Sequence, residues 1–517
     1  MDIARSLAWT AARYPDRVGL VAPAQQLTYR AWNARVNHIA HALLSVGVRP
    51  GDRVGMFLTN SEVLASTHLA TQKISAMSTP YNIRLSPSEL SYCLEDSRPR
   101  VALVDDLAAD VAYPALAGMQ PRPVVLHAGT GGEVGTIPFE EMVAQQSDTE
   151  PDVAVDDSAY SVMLYTSGTT GRPKGVPRTQ RAEWAASVAH IMQHRYAPGE
   201  STLGAMPMYH TMGLRSLLSM VVIGGTFVEL DTFDAARAIE RIVDHQITSL
   251  YLVPTAFWAL HQTGDLDSAR ASVRRLGYAG ASMTSTLSRS LSETLDPETF
   301  VNHYGSSEIY TYAFEDQAAD KPGSAGRPGV FSRLRLVSLS DTSSSRDVAP
   351  GETGEIIASL QSEEAFSGYW QRPDADEASI RDGWYHTGDL GTLDDRGDLW
   401  VAGRVDDMII TGGENVHPVE VEDVLARCHD VAEVAVVGLT DEKWGQAVTA
   451  FVVPLDPTDQ ETGERIEQWL RTEAGLSPYK RPKQVVVVKE LPKNPVGKLL
   501  RRKLVTGEYE PVSRDGG

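Results

Sequence analysis

The segment YTSGTTGRPKG, residues 165–175, combines hydroxyl side chains, glycines and one lysine. The terminal phosphates of a nucleotide need several donors at close range, and glycine lets the backbone approach because it carries no side chain. The spacing differs from that of the Walker loop, G-x-x-x-x-G-K-[ST]. A flexible surface loop rich in serine, threonine and glycine is the alternative interpretation. The residues predicted to bind phosphate are Thr166, Ser167, Gly168, Thr169, Thr170, Gly171 and Lys174.

The composition indicates a globular protein of more than one domain. The chain has 517 residues, which is more than one hydrophobic core usually supports. Its residues are 42% hydrophobic and 22% charged, as is ordinary for a globular protein. A net charge of -21 argues against a nucleic-acid or anionic-membrane partner, because like charges repel. Cys93 and Cys428 lack the paired spacing of a zinc site or disulfide framework, which fits a reducing compartment. With no signal sequence and no apolar run of transmembrane length, we expect a cytoplasmic protein without stable membrane insertion.

The order of apolar runs predicts the domain organisation. Helical stretches such as residues 29–44 alternate with short apolar runs such as residues 54–57, which predicts layered α/β subdomains. Further along, Gly/Asp turns separate short strands and predict a β-rich subdomain at about residues 325–404. A compact α+β segment follows. We therefore expect an N-terminal domain of residues 1–404 and a small C-terminal α+β domain of residues 405–517.

Several distant motifs agree with the phosphate loop in both content and order. They are PMYHTMG (207–213), YAGASM (278–283), NHYGSSE (302–308), WYHTGDLG (384–391), GRVDDMIITGGENVHPVEVE (403–422) and LPKNPVGKLLRR (491–502). With these motifs the chain resembles the adenylate-forming superfamily of AMP-binding acyl- and aryl-CoA synthetases, over nearly its whole length. The resemblance implies an acid:CoA ligase that uses ATP, CoA and Mg²⁺, with a large N-terminal domain and a mobile C-terminal domain.

The resemblance also implies roles for individual nucleotide-binding residues. Lys498 would bridge the acid's carboxylate and the α-phosphate while charge builds up between them. Glu308 would bind the magnesium ion on the phosphates, and Tyr304 would stack on adenine. Asp389 would accept hydrogen bonds from both ribose hydroxyls. The other implied contacts to ATP or AMP come from Gly280, Ala281, Ser282, Asn302, Gly305, Ser307 and Arg404.

For CoA, the resemblance implies that the small domain turns about a hinge at Asp406 between acyl-AMP formation and thioester formation. Gly412 and Gly413 would then let the pantetheine arm pass close to the acyl carbon. In the basic cluster YKRPK (479–483), Arg481 and Lys483 are candidates for binding the phosphates of CoA. Trp444 is a candidate for stacking on its nucleotide, whereas a solvated basic face and a packed core tryptophan are the alternatives.

The implied acyl site favours a hydrophobic aryl or bulky cyclic carboxylic acid. His210 would face the acyl group, and several C-terminal segments are similar to the 4-chlorobenzoate:CoA ligase branch of the family. PMYH stands where peptide-synthetase domains place an acidic residue, so an amino acid is not expected. The predicted acyl-site residues are His210, Thr211, Met212, Tyr251, His303, Gly305, Tyr310 and Thr311.

Two departures from the family pattern keep other hypotheses open. Gln180 follows Thr179 where the family usually has histidine, and Ser307 stands where threonine is usual. They motivate a second hypothesis, a ligase biased to thioester formation that uses acyl-AMP made by another enzyme. A third hypothesis is a non-enzymatic acid- or nucleotide-binding protein on the same fold, against which the presence of Lys498, Glu308 and Asp389 argues. The resemblance is compatible with a homodimer.

Overall fold

The structure is a computed structural model that describes residues 2–167, 173–339, 346–411, 414–441, 443–456, 459, 461–472, 476–493 and 499–512. The first part of the chain starts with a short helix and continues as alternating strands and helices. Its elements are α1 (Ser6–Arg13), β1 (Val18–Ala22), β2 (Gln25–Thr28), α2 (Tyr29–Ser45), β3 (Arg53–Phe57), α3 (Glu62–Lys73), β4 (Met77–Pro80), α4 (Pro87–Ser97), β5 (Val101–Asp105), α5 (Ala109–Ala117), β6 (Val124–Ala128), β7 (Ile137–Pro138), α6 (Phe139–Ala144) and β8 (Tyr160–Ser167).

The middle part continues the alternation and then becomes mostly strand. Its elements are β9 (Pro173–Thr179), α7 (Gln180–Gln193), β10 (Ser201–Gly204), α8 (Thr211–Ile223), β11 (Thr226–Glu229), α9 (Ala235–Asp244), β12 (Ser249–Leu252), α10 (Pro254–Gln262), a 3₁₀ helix (Leu266–Ala269), β13 (Arg275–Ala279), α11 (Ser285–Leu295), β14 (Thr299–Tyr304), β15 (Ala313–Glu315), β16 (Ser324–Pro328), β17 (Leu334–Val337), β18 (Gly354–Ser359), α12 (Pro373–Ser379), β19 (Ile380–Arg381), β20 (Trp384–Leu393) and β21 (Leu399–Arg404).

The last part is a small α+β unit. Its elements are β22 (Ile409–Thr411), β23 (Glu414–Val416), α13 (Pro418–Leu425), β24 (Val431–Asp441), β25 (Gly445–Pro454), α14 (Thr462–Thr472), β26 (Gln484–Val487) and α15 (Arg501–Val505). β22, β23, β24, β25 and β26 form one sheet. Apolar side chains of α13, β24, β25 and α14 form its core. The predicted combination of a large α/β part and a small C-terminal α+β part is confirmed.

Helix starts follow local sequence signals. The side chains of Thr28 and Thr179 accept hydrogen bonds from the backbone N–H groups of the first turns of α2 and α7. Ser86 and Glu89 form a reciprocal capping box at the start of α4. These short polar residues satisfy N–H groups that have no partner within the helix, and thereby fix where each helix begins.

Two large sheets pack around shared helices. A seven-stranded sheet has the order β7-β6-β5-β3-β4-β8-β9, and the other large sheet runs from β17 at one edge to β2 at the other. Buried side chains of α2, α3 and α8, including Trp32, Ala65 and Leu217, form a common core with strands of both sheets. The predicted β-rich region is an antiparallel continuation of the second sheet, because β16 pairs with both β15 and β21.

The carboxyl ends of parallel strands meet at one edge of the second sheet. β12, β13 and β14 are neighbours in parallel register and end at Leu252, Ala279 and Tyr304. Ligands of open α/β sheets usually bind at such an edge. Among the helices within the described ranges, none is both long and apolar enough to cross a membrane.

Candidate active site

Asp389 joins two of the predicted nucleotide-binding residues. β20 and β21 place Asp389 directly opposite Arg404, whose Nη1 donates a 2.9 Å hydrogen bond to Asp389 Oδ1. Tyr304, at the end of β14, donates its hydroxyl to Asp389 Oδ2 at 2.6 Å. Burial and then the negative charge of Asp389 hold the pKa of the Tyr304 phenol well above its usual value, so Tyr304 is a neutral donor. A carboxylate offers about four acceptor positions, so Asp389 has the chemistry to accept from a ribose hydroxyl as well as from these side chains.

The predicted adenine-binding turn lies beside Tyr304. Gly280, Ala281 and Ser282 follow β13 directly and are exposed, and the last β13 residue, Ala279, pairs with His303 on β14. Gly280 has a φ of +86°, a conformation that favours glycine. Asn302 donates to the carbonyl of Ser324 at 2.6 Å, which ties β14 to β16 and holds the strand end in place.

Glu308, Tyr369 and Lys174 form a second polar group. Tyr369 donates its hydroxyl to Glu308 Oε1 at 2.8 Å, and Lys174 Nζ lies 4.8 Å from the centre of the Tyr369 ring. Lys174 of the phosphate loop and Glu308, the predicted magnesium ligand, therefore both lie next to the Tyr369 side chain. Carboxylate oxygen is the donor that Mg²⁺ prefers, so Glu308 fits this ion. The sequence motifs gave no signal for Tyr369.

A buried arginine connects the strand after the phosphate loop to the segment that carries Glu308. Arg178 on β9 donates from Nη1 to the carbonyls of Ser307, at 2.9 Å, and Glu364, at 3.0 Å. Its Nε donates to Glu183 Oε1 at 2.5 Å, and the other oxygen of Glu183 pairs with Arg215. Arg178, Glu183 and Arg215 are each at most 1% exposed. We infer that this network sets the position of the 307–308 backbone relative to β9.

His210 immediately precedes α8. Its Nε2 is buried and has no hydrogen-bond partner in the described part of the chain. Burial lowers the pKa of His210 to about 4, so the imidazole is neutral at pH 7. Thr211 and Met212 are partly buried in the first turn of the helix. A neutral histidine with a free nitrogen suits contact with an acyl group.

Four of the predicted acyl-site residues lie together in a fully buried cluster. Tyr251, His303, Tyr310 and Thr311 are at most 2% exposed. The rings of His303 and Tyr310 lie 4.5 Å apart and those of His303 and Tyr251 5.9 Å apart. A side chain at Gly305 would place its Cβ 1.8 Å from the Tyr310 carbonyl oxygen, so only glycine fits this approach.

Two histidines that the motifs missed complete this cluster. The ring centres of His190, on α7, and His194, which follows the last residue of α7, lie 3.9 Å apart with their planes tilted by 32°, and His190 Nδ1 lies 2.8 Å from the Tyr310 hydroxyl. One nitrogen from each of His190, His194 and His303 lies within 4.8 Å of the other two, a spacing that a metal ion could draw together. The i, i+4 spacing of His190 and His194 along the chain was the available sequence signal.

Two of the predicted CoA-binding residues are adjacent. Lys483 Nζ lies 5.1 Å from the centre of the Trp444 ring, and Lys443 Nζ lies 4.8 Å from it. Trp444 is partly exposed, so the alternative of a packed core tryptophan does not describe it. Arg481 donates from Nε to the carbonyl of Leu476 at 2.9 Å.

Other predicted residues have different positions or lie outside the described ranges. Gln180 is fully buried and donates from Nε2 to Gln72 Oε1 at 3.0 Å, which makes it part of the packing between α7 and α3. Thr166 is on β8, and Ser167 ends that strand. Asp406 is exposed in the turn after β21. The predicted residues outside the described ranges are Gly168, Thr169, Thr170, Gly171, Gly412, Gly413 and Lys498.

A large α/β part with a nucleotide-type site at its strand ends, followed by a small α+β part, defines the adenylate-forming class of enzyme. The chain belongs to the AMP-binding enzyme family, whose main domain matches residues 7–370 and whose C-terminal domain matches residues 420–498.

Relatives and solved structures agree with this assignment. A feruloyl-CoA synthase of Amycolatopsis sp is 35% identical over 481 residues, which is 92% of each chain. A 4-chlorobenzoate–CoA ligase of Arthrobacter sp is 33% identical over 508 residues, 96% of this chain and 94% of that one. The crystal structure of the anthranilate CoA ligase AuaEII with anthranoyl-AMP superposes with a TM-score of 0.90 at 25% identity, over 98% of this chain and 97% of that chain. The protein is an acyl- or aryl-CoA synthetase with ATP and CoA as substrates.

Proposed function

We propose that this synthetase activates a hydrophobic aryl or bulky cyclic carboxylic acid. The observation that carries the proposal is the buried ring cluster of Tyr251, His303 and Tyr310 at the predicted acyl end of the site. Flat rings offer planar faces that pack well against an aromatic or cyclic acid. Two of the relatives support this choice, since ferulate and 4-chlorobenzoate are aryl acids.

The first half-reaction makes a good leaving group. A carboxylate oxygen of the acid attacks the α-phosphorus of ATP, the bond from that phosphorus to the bridging oxygen breaks, and pyrophosphate leaves. Lys498 would neutralise the charge that builds up between carboxylate and phosphate. Asp389 would hold the ribose, and Tyr304 the adenine. Lys174 and the phosphate-loop hydroxyls would bind the departing pyrophosphate.

Magnesium would be held by Glu308 and the ATP phosphates, where it supplies charge neutralisation. Tyr369 orients the Glu308 carboxylate through its 2.8 Å hydrogen bond. Arg178 holds the adjacent Ser307 carbonyl. The Glu308 carboxylate is therefore held by Tyr369, and the backbone just before Glu308 is held by Arg178.

The second half-reaction transfers the acyl group to CoA. The thiol sulfur attacks the acyl carbon, the bond from that carbon to the AMP oxygen breaks, and the thiol proton is lost to solvent. Trp444 and Lys483 would bind the nucleotide end of CoA, because an aromatic face and a cation suit adenine and phosphate. Arg481 would add a second cation. Rotation about Asp406 would exchange Lys498 for Gly412 and Gly413 at the acyl centre.

The test is a panel of aryl, cyclic and straight-chain acids incubated with the full chain, ATP, Mg²⁺ and CoA. AMP, pyrophosphate and the mass of the thioester are measured for each acid. We expect thioester from aryl or cyclic acids, at rates at least about tenfold above straight-chain acids. Equal or higher rates with straight-chain acids contradict the proposed substrate class.

A second arm supplies synthetic acyl-AMP and CoA. Lys498→Ala should lose acid-dependent pyrophosphate exchange by about 100-fold or more and keep thioester formation from the adenylate. Lys503→Ala, a basic residue on α15, is the matched control and should keep both activities. Thioester from acyl-AMP without pyrophosphate exchange in the unmodified chain supports the thioester-biased hypothesis and contradicts the complete ligase.

A further inference from the structure

Asn60 lies at the junction between the two large sheets. It is in the loop between β3, a strand of the seven-stranded sheet, and α3, and it is 7% exposed. The preceding residue, Thr59, donates from its backbone N–H and its hydroxyl to Asp105 Oδ2, at 2.7 and 3.0 Å. Asp105 ends β5 of the same sheet. The loop that carries Asn60 is therefore fastened to the seven-stranded sheet.

The Asn60 amide makes three hydrogen bonds to one backbone segment of the second sheet, residues 204–208. Its Nδ2 donates to the carbonyls of Gly204, the last residue of β10, at 3.1 Å and of Met206 at 2.9 Å. Its Oδ1 accepts from the N–H of Met208 at 2.9 Å. Because a carbonyl only accepts and an N–H only donates, these partners define the orientation of the amide. One side chain from the first sheet thus holds the segment at three points.

The segment held by Asn60 leads directly into the predicted acyl-site histidine. The N–H of His210 donates to the carbonyl of Pro207 at 3.0 Å, and α8 begins at the next residue, Thr211. A Cβ on Gly213, in the first turn of α8, would clash with the carbonyl oxygens of Met206 and Pro207, so this turn packs directly on the segment. A displacement of residues 204–208 would therefore move His210.

We propose that Asn60 is a positioning residue, which holds His210 where it contacts the acyl group by fixing the backbone of residues 204–208. The inference rests on the acyl role of His210 in the proposed function. Reaction rates are sensitive to misplacements of about 1 Å, even when the change lies away from the reacting atoms. Tyr304 and Asp389, which bond to each other on β14 and β20, are held separately, so ATP binding should be spared.

Asn60→Ala in the full chain tests the proposal. The probe is the acid that gives the highest rate in the panel, so the test does not depend on the proposed substrate class. In pyrophosphate exchange we expect kcat/KM for the acid to fall by about 10- to 100-fold, with a raised KM for the acid and a KM for ATP within about twofold. A residue that only stabilises the fold would change the amount of active enzyme and neither KM. An unchanged KM for the acid therefore overturns the proposal.

Asn37→Ala is the matched control, a buried asparagine on α2 with comparable hydrogen bonds. Asn37 is 1% exposed, its Nδ2 donates to the carbonyl of Asp148 at 2.7 Å, and its Oδ1 accepts from Lys73 Nζ at 2.7 Å. We expect Asn37→Ala to lower the urea midpoint as Asn60→Ala does and to leave the KM for the acid unchanged. If both variants raise this KM equally, the effect is one of general destabilisation and the proposal is wrong.

A double-variant cycle tests whether Asn60 acts through His210. If it does, adding Asn60→Ala to His210→Ala should lower kcat/KM for the acid by less than about threefold further. Losses that multiply in full overturn the proposal. An unchanged KM for the acid in His210→Ala alone also overturns it, because His210 then does not contact the acyl group. In that case thioester from the aryl acids of the panel still leaves the proposed substrate class intact.

A second variant serves if Asn60→Ala does not fold by circular dichroism. Asn60→Asp has nearly the same shape and keeps an acceptor for the Met208 N–H, but a carboxylate cannot donate to the carbonyls of Gly204 and Met206. We expect the same selective rise in KM for the acid. A folded Asn60→Asp enzyme with unchanged KM values for both acid and ATP contradicts the proposal.

Discussion

At the residue scale, Asp389 shows how one carboxylate joins residues of the predicted nucleotide site. It accepts from Tyr304, 85 positions earlier in the chain, and from Arg404, its cross-strand neighbour. The motif WYHTGDLG predicted a ribose-binding carboxylate, but no sequence motif indicated that Tyr304 would donate to it. The tyrosine and arginine fix the orientation of the carboxylate before any ligand binds.

Asp389→Ala tests this role. Because the change removes a charged acceptor from both partners and from the ribose, we expect kcat/KM for ATP to fall by about 10- to 100-fold in the pyrophosphate-exchange assay. Asp395→Ala, an exposed aspartate in the turn between β20 and β21, should change it by less than about twofold. Equal losses in the two variants would contradict the role of Asp389.

Gly305→Ala tests the close approach between Gly305, in the motif NHYGSSE, and the backbone of Tyr310. A Cβ there would lie 1.8 Å from the Tyr310 carbonyl oxygen, so the backbone must move, and we expect the free energy of unfolding to fall by about 3 kcal/mol. Gly118→Ala is the control, since φ is -76° and the nearest atom is 3.7 Å away. Urea titration measures both. A loss below about 1 kcal/mol for Gly305→Ala would show that the segment yields easily.

At the scale of elements, the loop that carries Glu364 joins the acyl cluster to β9. Glu364 Oε2 accepts from the backbone N–H and the hydroxyl of Thr311, at 3.0 and 2.9 Å. Burial raises the pKa of Glu364 from 4.5 to about 7, although the Thr311 hydrogen bonds oppose this. The motifs gave no indication of Glu364, because a single glutamate in a loop has no distinctive pattern.

The raised pKa predicts a pH-dependent stability. The folded state binds this proton more tightly than the unfolded chain, so the stabilisation is present below about pH 4.5 and is lost as the pH rises through about 7. Glu364→Gln keeps the neutral form. We expect it to match the unmodified chain near pH 5 and to exceed it by about 3 kcal/mol near pH 8.5 in urea titrations.

The neighbouring exposed residue offers the control for this experiment. Glu363→Gln should show no such divergence with pH, because the Glu363 side chain is 53% exposed. If Glu364→Gln and the unmodified chain keep a constant difference from pH 5 to 8.5, the carboxyl does not titrate in that range.

The turn between β24 and β25 is the element predicted to bind CoA. Trp444→Ala removes the ring that Lys443 and Lys483 flank, so KM for CoA should rise by about tenfold while pyrophosphate exchange stays unchanged. Trp258→Ala, a tryptophan on α10 with 38% exposure, should change neither quantity. A fall in pyrophosphate exchange without a change in KM for CoA would remove Trp444 from the CoA site.

At the scale of the whole molecule, the proposed pivot lies in the junction between the two parts of the chain. Along the chain, β21 is the last strand of the second large sheet and β22 is the first strand of the small sheet. Residues 405–408, which include Asp406, connect these two strands. On the C-terminal side, Arg501 donates to both oxygens of Glu422 at 2.7 Å and pairs with Asp407 at 3.4 Å. Arg501 therefore holds Asp407 beside the exposed Asp406, an arrangement that suits a pivot at Asp406.

Asp406→Pro tests the pivot. Proline fixes φ near -65°, so a hinge that must adopt two conformations would be confined to one. We expect one half-reaction to fall by at least about tenfold relative to the other, measured as pyrophosphate exchange and as thioester from synthetic acyl-AMP. Asp406→Ala, which leaves φ free, should keep their ratio. A ratio that Asp406→Pro leaves unchanged would place the hinge elsewhere.

Local motifs were enough to predict the class of this protein, which the family match confirms, whereas the nucleotide-binding roles of their residues stay predictions. Motifs such as NHYGSSE and WYHTGDLG carry backbone and side-chain requirements within a few residues, so they can be recognised in the sequence before the fold is known. The fold class followed from local apolar alternation for the same reason.

Residues that share no motif came together through the packing of the fold. Tyr369 at Glu308, Arg178 at the Ser307 carbonyl, and His190 beside Tyr251 meet because sheet register and helix packing bring distant segments into contact. The packing of the fold also placed Gln180 against Gln72 in the interior. Pairings across more than 50 residues depend on how the elements pack. Burial, which lowers the pKa of His190 and raises that of Glu364, exists only after that packing is complete.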